Sequence, residues 1–185
     1  MRATLGVITL SLTTLVVSAS PAWATNFFGC PANQVNEPCF ADGSVLYWSY
    51  NLGNGRMRAA VEFLRVSSWN TTHLNIGLST NPPLADLRVY FDDNLSSPYV
   101  GMYSCAPGEF ISGGACDRAT IRFKGVSIAN WSDGDLRSLS CHETGHSFGL
   151  QHPSPPGPTY ACMNNPVPNY QNVGPHNVAH VNSHY

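Results

Sequence analysis

Residues 141–152 read C-H-E-T-G-H-S-F-G-L-Q-H, and no other stretch restricts the fold as tightly. On an α-helix, side chains four apart stand nearly one above the other, so a helix here puts His142 and His146 on one face. Both imidazoles then reach a single metal ion at about 2.0–2.1 Å. Glu143 lies beside them, turned slightly aside, where it can address a water at the ion without ligating it. A third ligand cannot come from the next helical turn in good tetrahedral geometry, so the chain has to reverse. Gly149 stands three residues after His146, where left-handed backbone ends a helix at little cost. His152 then arrives from another direction. Three neutral imidazoles and one open position describe a catalytic zinc site, whereas a structural site is closed by four ligands.

The surroundings supply the elements such a helix needs. Residues 132–148 form it, with Ser132 or Asp133 as the cap and Asp133 and Asp135 at the positive end of its dipole. Leu136 and Leu139 supply apolar packing toward the core. Upstream, residues 44–52 alternate Val45 and Tyr47 against Leu46 and Trp48, a strand pattern followed by a turn at 51–55. The period then changes. Met57, Ala60, Val61, Leu64 and Trp69 predict an amphipathic helix over 56–69. Residues 73–79, 87–91, 99–105 and 119–124 complete about five strands, with a loop at 107–114. The proline-rich run 153–158 cannot be helical. The tail to Tyr185 carries one more helix, with Val178, Val181 and Tyr185 on its apolar face and His176, His180 and His184 as a solvated stripe. The expectation is an α/β (α+β) fold. A twisted sheet of about five strands and two helices form a larger N-terminal lobe, and a small C-terminal lobe begins near His152.

The pattern H-E-x-x-H-x-x-G-x-x-H, filled by His142, Glu143, His146, Gly149 and His152, resembles the signature of the metzincin clan of zinc peptidases. Gly145 within H-E-T-G-H is similar to the matrixin branch, and the likeness extends to the secreted bacterial, snapalysin-like type. The resemblance implies a zinc endopeptidase acting on protein or peptide substrates, with one catalytic Zn2+ on the three histidines and Glu143 as the proton carrier. It implies a methionine turn below the metal, matched by Met163 in T-Y-A-C-M-N-N, where the thioether is a soft floor and not a ligand. Asn165 stands where astacins and serralysins carry a tyrosine. An antiparallel edge strand is implied at 100–105, with Gly101 allowing close backbone approach, and a specificity pocket at about 164–175. Some matrixins hold structural calcium. Asp92 and Asp93 are the candidates here, but a surface turn suits them better. A latency cysteine at Cys30 lacks the surrounding pro-segment motif.

Other features bear on compartment. Residues 1–24 resemble a signal peptide: Arg2, an apolar run at 5–17, and a small-x-small end at Ala22 and Ala24. Residues 25–43 read as a disulfide-stapled extension and 44–185 as the catalytic domain. Six cysteines in an exported chain point to disulfides, with many connectivities open. Pairing neighbours gives Cys30–Cys39, Cys105–Cys116 and Cys141–Cys162. A cysteine zinc site would want a C-x-x-C, and the sequence has none. With 11% charged residues and a net charge of −2, nothing favours nucleic acid or a polybasic membrane contact. The expected protein is a secreted, extracellular monomer, free of the membrane once the signal is removed. Two rivals share the same residues: a zinc amidase or cell-wall hydrolase, and a non-catalytic secreted zinc-binding protein. An intact Glu143 beside an open position speaks against the second.

Overall fold

Alternation along β2 (Val45–Asn51) orients the sheet: Leu46 and Trp48 are buried while Val45 and Tyr47 face outward, as the two-residue period of a strand requires. The computed structural model containing this strand describes residues 39–53, 55–111, 113–154, 156–164 and 170–185. The expected signal peptide, Cys30 with most of the 25–43 extension, and Asn165 lie outside the described residues.

Around β2 stand β3 (Asn75–Leu78), β4 (Leu87–Phe91), β8 (Ala119–Phe123) and β5 (Gly101–Cys105), in the order β3-β2-β4-β8-β5. The first four run parallel, and β5 lies antiparallel to β8 at one edge. Parallel neighbours need a long crossover, and α1 (Gly55–Phe63) provides the one between β2 and β3. The inner face of the sheet buries Trp48, Leu87, Val89, Ile121 and Phe123. They pack with Met57, Ala60, Val61 and Leu64 from the α1 region and Leu136 and Leu139 from α3 (Asp133–His146). A mixed α/β fold with a five-stranded sheet is what the periodicities led us to expect. A C-terminal helix, α4 (Pro175–His184), follows.

Three features differ from the sequence reading. The helix expected over 56–69 keeps α geometry only to Phe63, then widens into a π segment (Leu64–Ser68) and tightens into a 3-10 turn (Trp69–Thr71). Trp69 comes five residues after Leu64, a spacing that α geometry rotates off the buried face and π geometry restores. Its buried Nε1 donates to Thr144 Oγ1 at 3.0 Å, tying this segment to α3. The expected loop at 107–114 contributes β6 (Phe110–Ile111), which joins β7 (Ala115–Cys116) and β1 (Phe40–Ala41) in a small second sheet. Strands of two residues carry no readable period; neither does the short α2 (Gly125–Ile128). The histidine stripe of α4 is half packed instead of simply solvated, with His184 stacked on Phe40 and His176 against Tyr160.

Cys105–Cys116 ties the end of β5 to the small sheet, and Cys141–Cys162 ties α3 to the segment after His152. Cys39 is disulfide-bonded as well. Asp92 accepts from Asn94 N–H and Arg122, and Asp93 from Val126 N–H, so both carboxylates brace a turn. Among the described residues no helix is long and apolar enough to cross a membrane. Ile121 lies fully buried in a strand with neighbours on both sides. Ile121→Ala should therefore destabilise the protein by about 2–5 kcal/mol, read as a lower urea midpoint with an unchanged slope.

Candidate metal centre

Helix α3 begins with a reciprocal cap. Ser132 Oγ accepts from Asp135 N–H at 3.1 Å, and Asp135 Oδ2 accepts from Ser132 N–H at 3.2 Å. From Ser138 to its end every residue is buried, so the stretch carrying His142, Glu143 and His146 is the interior half of the helix.

The C-terminal end performs the reversal. Leu150 N–H donates to Gly145 C=O and Gly149 N–H to His146 C=O, both at 3.1 Å. With Gly149 at φ +84°, these bonds make a Schellman motif. The left-handed glycine expected from the sequence is in place. The reversal also aims the Leu150 carbonyl at the helix, where it accepts from His146 Nδ1 at 2.6 Å. The Cys162 carbonyl accepts from His142 Nδ1 at 2.8 Å. A carbonyl only accepts, so each Nδ1 carries the proton and each Nε2 keeps its lone pair.

His152 completes the group from beyond the turn. The three ring centroids are 4.7, 4.8 and 4.9 Å apart, nearly an equilateral triangle. His152 Nε2 lies 2.9 Å from His142 Nε2, and the three candidate ligand atoms all fall within 4.8 Å of one another. Ligands on a tetrahedral zinc would stand ~3.4 Å apart, inside that spread. The donor set fits a zinc-like divalent ion: three imidazoles, the two buried ones of fixed tautomer, with a ring nitrogen of each gathered at one place. His142 and His146 are buried while His152 is exposed, which leaves the site open on that side.

Electrostatics reinforce the tautomers. Burial pushes His142 down to about 4, helped by nearby His152 and opposed by the Cys162 carbonyl. Burial, with the two neighbouring imidazoles, holds His146 well below its ordinary range. Both rings are neutral near pH 7. Glu143, 5% exposed, is pushed up to about 8 by burial, against the pull of a hydrogen bond from Tyr103 N–H. A divalent charge at the three nitrogens would act in the opposite direction and favour the carboxylate.

Glu143 rests on the edge strand. A Cβ built on Gly101 would meet Glu143 Oε1 at 2.5 Å and Cδ and Cγ at 2.9 Å. The close approach expected at Gly101 therefore exists, but its occupant is Glu143 itself. Met163 is fully buried below the last turn of α3, and its Sδ fills the place a Cβ on Gly145 would take. The structure thus brings His142, Glu143, His146, His152 and Met163 together. Residue identity gave no sign of the Leu150 and Cys162 carbonyls or of Tyr103 N–H, because every residue except proline carries the same backbone groups.

No protein-family model matches the chain, and no curated protein sequence matches it. Among solved structures 49 chains match. One is the structure of myroilysin, with a TM-score of 0.43 and 19% identity over 64% of this chain and 54% of that one. The chain spans about half the length of that protein.

The packing at Gly145 is directly testable. Gly145→Ala should destabilise by about 1–3 kcal/mol through overpacking. Much of that loss should vanish when Met163→Ala is already present. A double-mutant cycle from urea unfolding measures the coupling, and additive effects would disprove the contact.

Proposed function

We propose that the protein is a secreted zinc-dependent endopeptidase of metzincin type, matrixin-like or snapalysin-like, with residues 44–185 as its catalytic domain. The observation that carries this reading is the convergence of three imidazoles, the two buried ones neutral and of fixed tautomer, next to a buried carboxylate at the edge of a sheet.

His142, His146 and His152 hold the ion, and Met163 fills the space beneath. A zinc ion so held supplies Lewis-acid polarisation of a carbonyl and lowers the pKa of water. Glu143 takes a proton from the attacking water and returns it to the departing amine. Tyr103 N–H favours the charged carboxylate at the strand edge. Lys124 N–H donates to Val100 C=O, and Ala106 N–H to Arg118 C=O. Antiparallel parity then turns the backbone groups of Gly101, Tyr103 and Cys105 away from β8. An extended peptide adding to this edge would lie across Glu143. The low net charge suits a protein or peptide substrate and no nucleic acid. The disulfides suit an oxidising, extracellular setting for a monomer released from its signal peptide.

The test is casein digestion by residues 25–185, with peptidoglycan as the control substrate. Proteolysis should stop with a zinc chelator and return with added zinc. Cleavage of peptidoglycan alone would favour the amidase reading, and cleavage of neither a binding role. In the same assay Glu143→Gln should retain one equivalent of zinc while turnover falls about 10²–10⁴-fold. Near-wild-type turnover by that variant would remove Glu143 from the mechanism.

A further inference from the structure

The segment from Gly157 to Asn164 contains the one non-glycine residue with positive φ among those described. Ala161 has φ +44° and ψ −122°. That pair of angles belongs to the first central position of a type II′ turn, where glycine is the usual occupant because it has no Cβ. A strained residue persists only where its surroundings over-determine it, and such residues gather at functional sites.

The surroundings of Ala161 are specific. Asn164, 8% exposed, spends its whole side-chain amide on this turn. Its Nδ2 donates to Ala161 C=O at 2.9 Å and to Gly157 C=O at 3.0 Å, and its Oδ1 accepts from Gly157 N–H at 2.9 Å. From the other side, Asn177 Nδ2 of α4 donates to Tyr160 C=O at 2.8 Å. Gly174 has no room for a side chain, since a Cβ there would lie 2.5 Å from Thr159 C=O and 3.1 Å from the Ala161 Cβ. The residue after Ala161 is Cys162, whose carbonyl accepts from His142 Nδ1.

We propose that Asn164 is a positioning residue for His142: it locks Ala161 in its strained conformation, and that conformation turns the Cys162 carbonyl onto the imidazole. Without the clamp, Ala161 relaxes toward negative φ and the peptide plane bearing the Cys162 carbonyl swings. His142 then loses the partner that fixes its tautomer and ring angle. The Cys141–Cys162 disulfide holds the segment near the helix but leaves this carbonyl's direction to the backbone angles. The inference rests on the reading of His142 as a metal ligand.

Strain and clamp separate by substitution. Asn164→Ala removes the clamp, and Ala161→Gly removes the strain the clamp opposes. Zinc affinity is measured by competition with a chromophoric chelator, and site geometry by the visible spectrum after loading with Co2+ alone. Asn164→Ala should weaken zinc binding about 10–100-fold, as loss of a ligand's outer hydrogen bond does, and change the cobalt spectrum. Ala161→Gly should keep both properties of the wild type. The Ala161→Gly, Asn164→Ala double variant should recover most of the affinity, because glycine holds the turn unaided. Asn164→Ser, which keeps a hydroxyl on a shorter side chain and loses the full clamp, gives the same sign if the alanine variant folds poorly. An Asn164 variant with unchanged affinity and spectrum, or a double variant as weak as Asn164→Ala, overturns the inference while leaving the metal site intact. A wild type that takes up no zinc overturns the site itself.

Discussion

An imidazole can offer a metal only one nitrogen at a time, and the other nitrogen decides which one and at what angle. In this chain that decision belongs to two backbone carbonyls, Leu150 on His146 and Cys162 on His142. Each comes from a segment that had to be folded back onto α3. Leu150 arrives through the Schellman reversal at Gly149, and Cys162 through a turn disulfide-linked to the residue before His142. The ring geometry is thus a property of the chain path after the helix as much as of the helix. A helix carrying the same two histidines without those returns would leave both rings free to rotate and to change tautomer.

The third side of the site is the sheet. β5 lies at the edge and antiparallel, so alternate backbone groups face away from β8. Tyr103 N–H meets the Glu143 carboxylate there, and the absent side chain of Gly101 makes room for it. Burial raises the energy of the charged carboxylate, while the strand N–H and any nearby cation lower it. Helix, reversal and strand edge meet at one point, and no single element determines it.

How much of this was legible follows from what side chains encode. The strands and α3 were readable because burial alternates with period two or 3.6, and Leu46, Trp48, Leu136 and Leu139 obey it. The three histidines and Gly149 were readable because their spacing has a mechanical meaning, and Gly149 does adopt left-handed backbone. The π segment was not readable, since only the position of Trp69 against Thr144 selects it over a continuous helix. The carbonyl partners of the histidines were invisible because backbone groups are nearly the same at every position. In the sequence Asn164 stood only as the start of the expected pocket segment at 164–175, and its three hydrogen bonds appear only once Gly157 and Ala161 are brought to it.

The same contacts bear on when the site forms. In small zinc modules the ion assembles its ligands, and binding free energy becomes folding free energy. Here α3 packs its inner face into a core that includes Trp48, Ile121 and Phe123, apolar side chains away from the three histidines. The Cys141–Cys162 bridge, joining residues 21 apart, adds about 3 kcal/mol by restricting the unfolded chain. Two imidazoles and a carboxylate are then buried at a desolvation cost that packing and disulfide together offset. The core holds the helix, the bridge holds the turn to the helix, and the turn's carbonyl holds the ring.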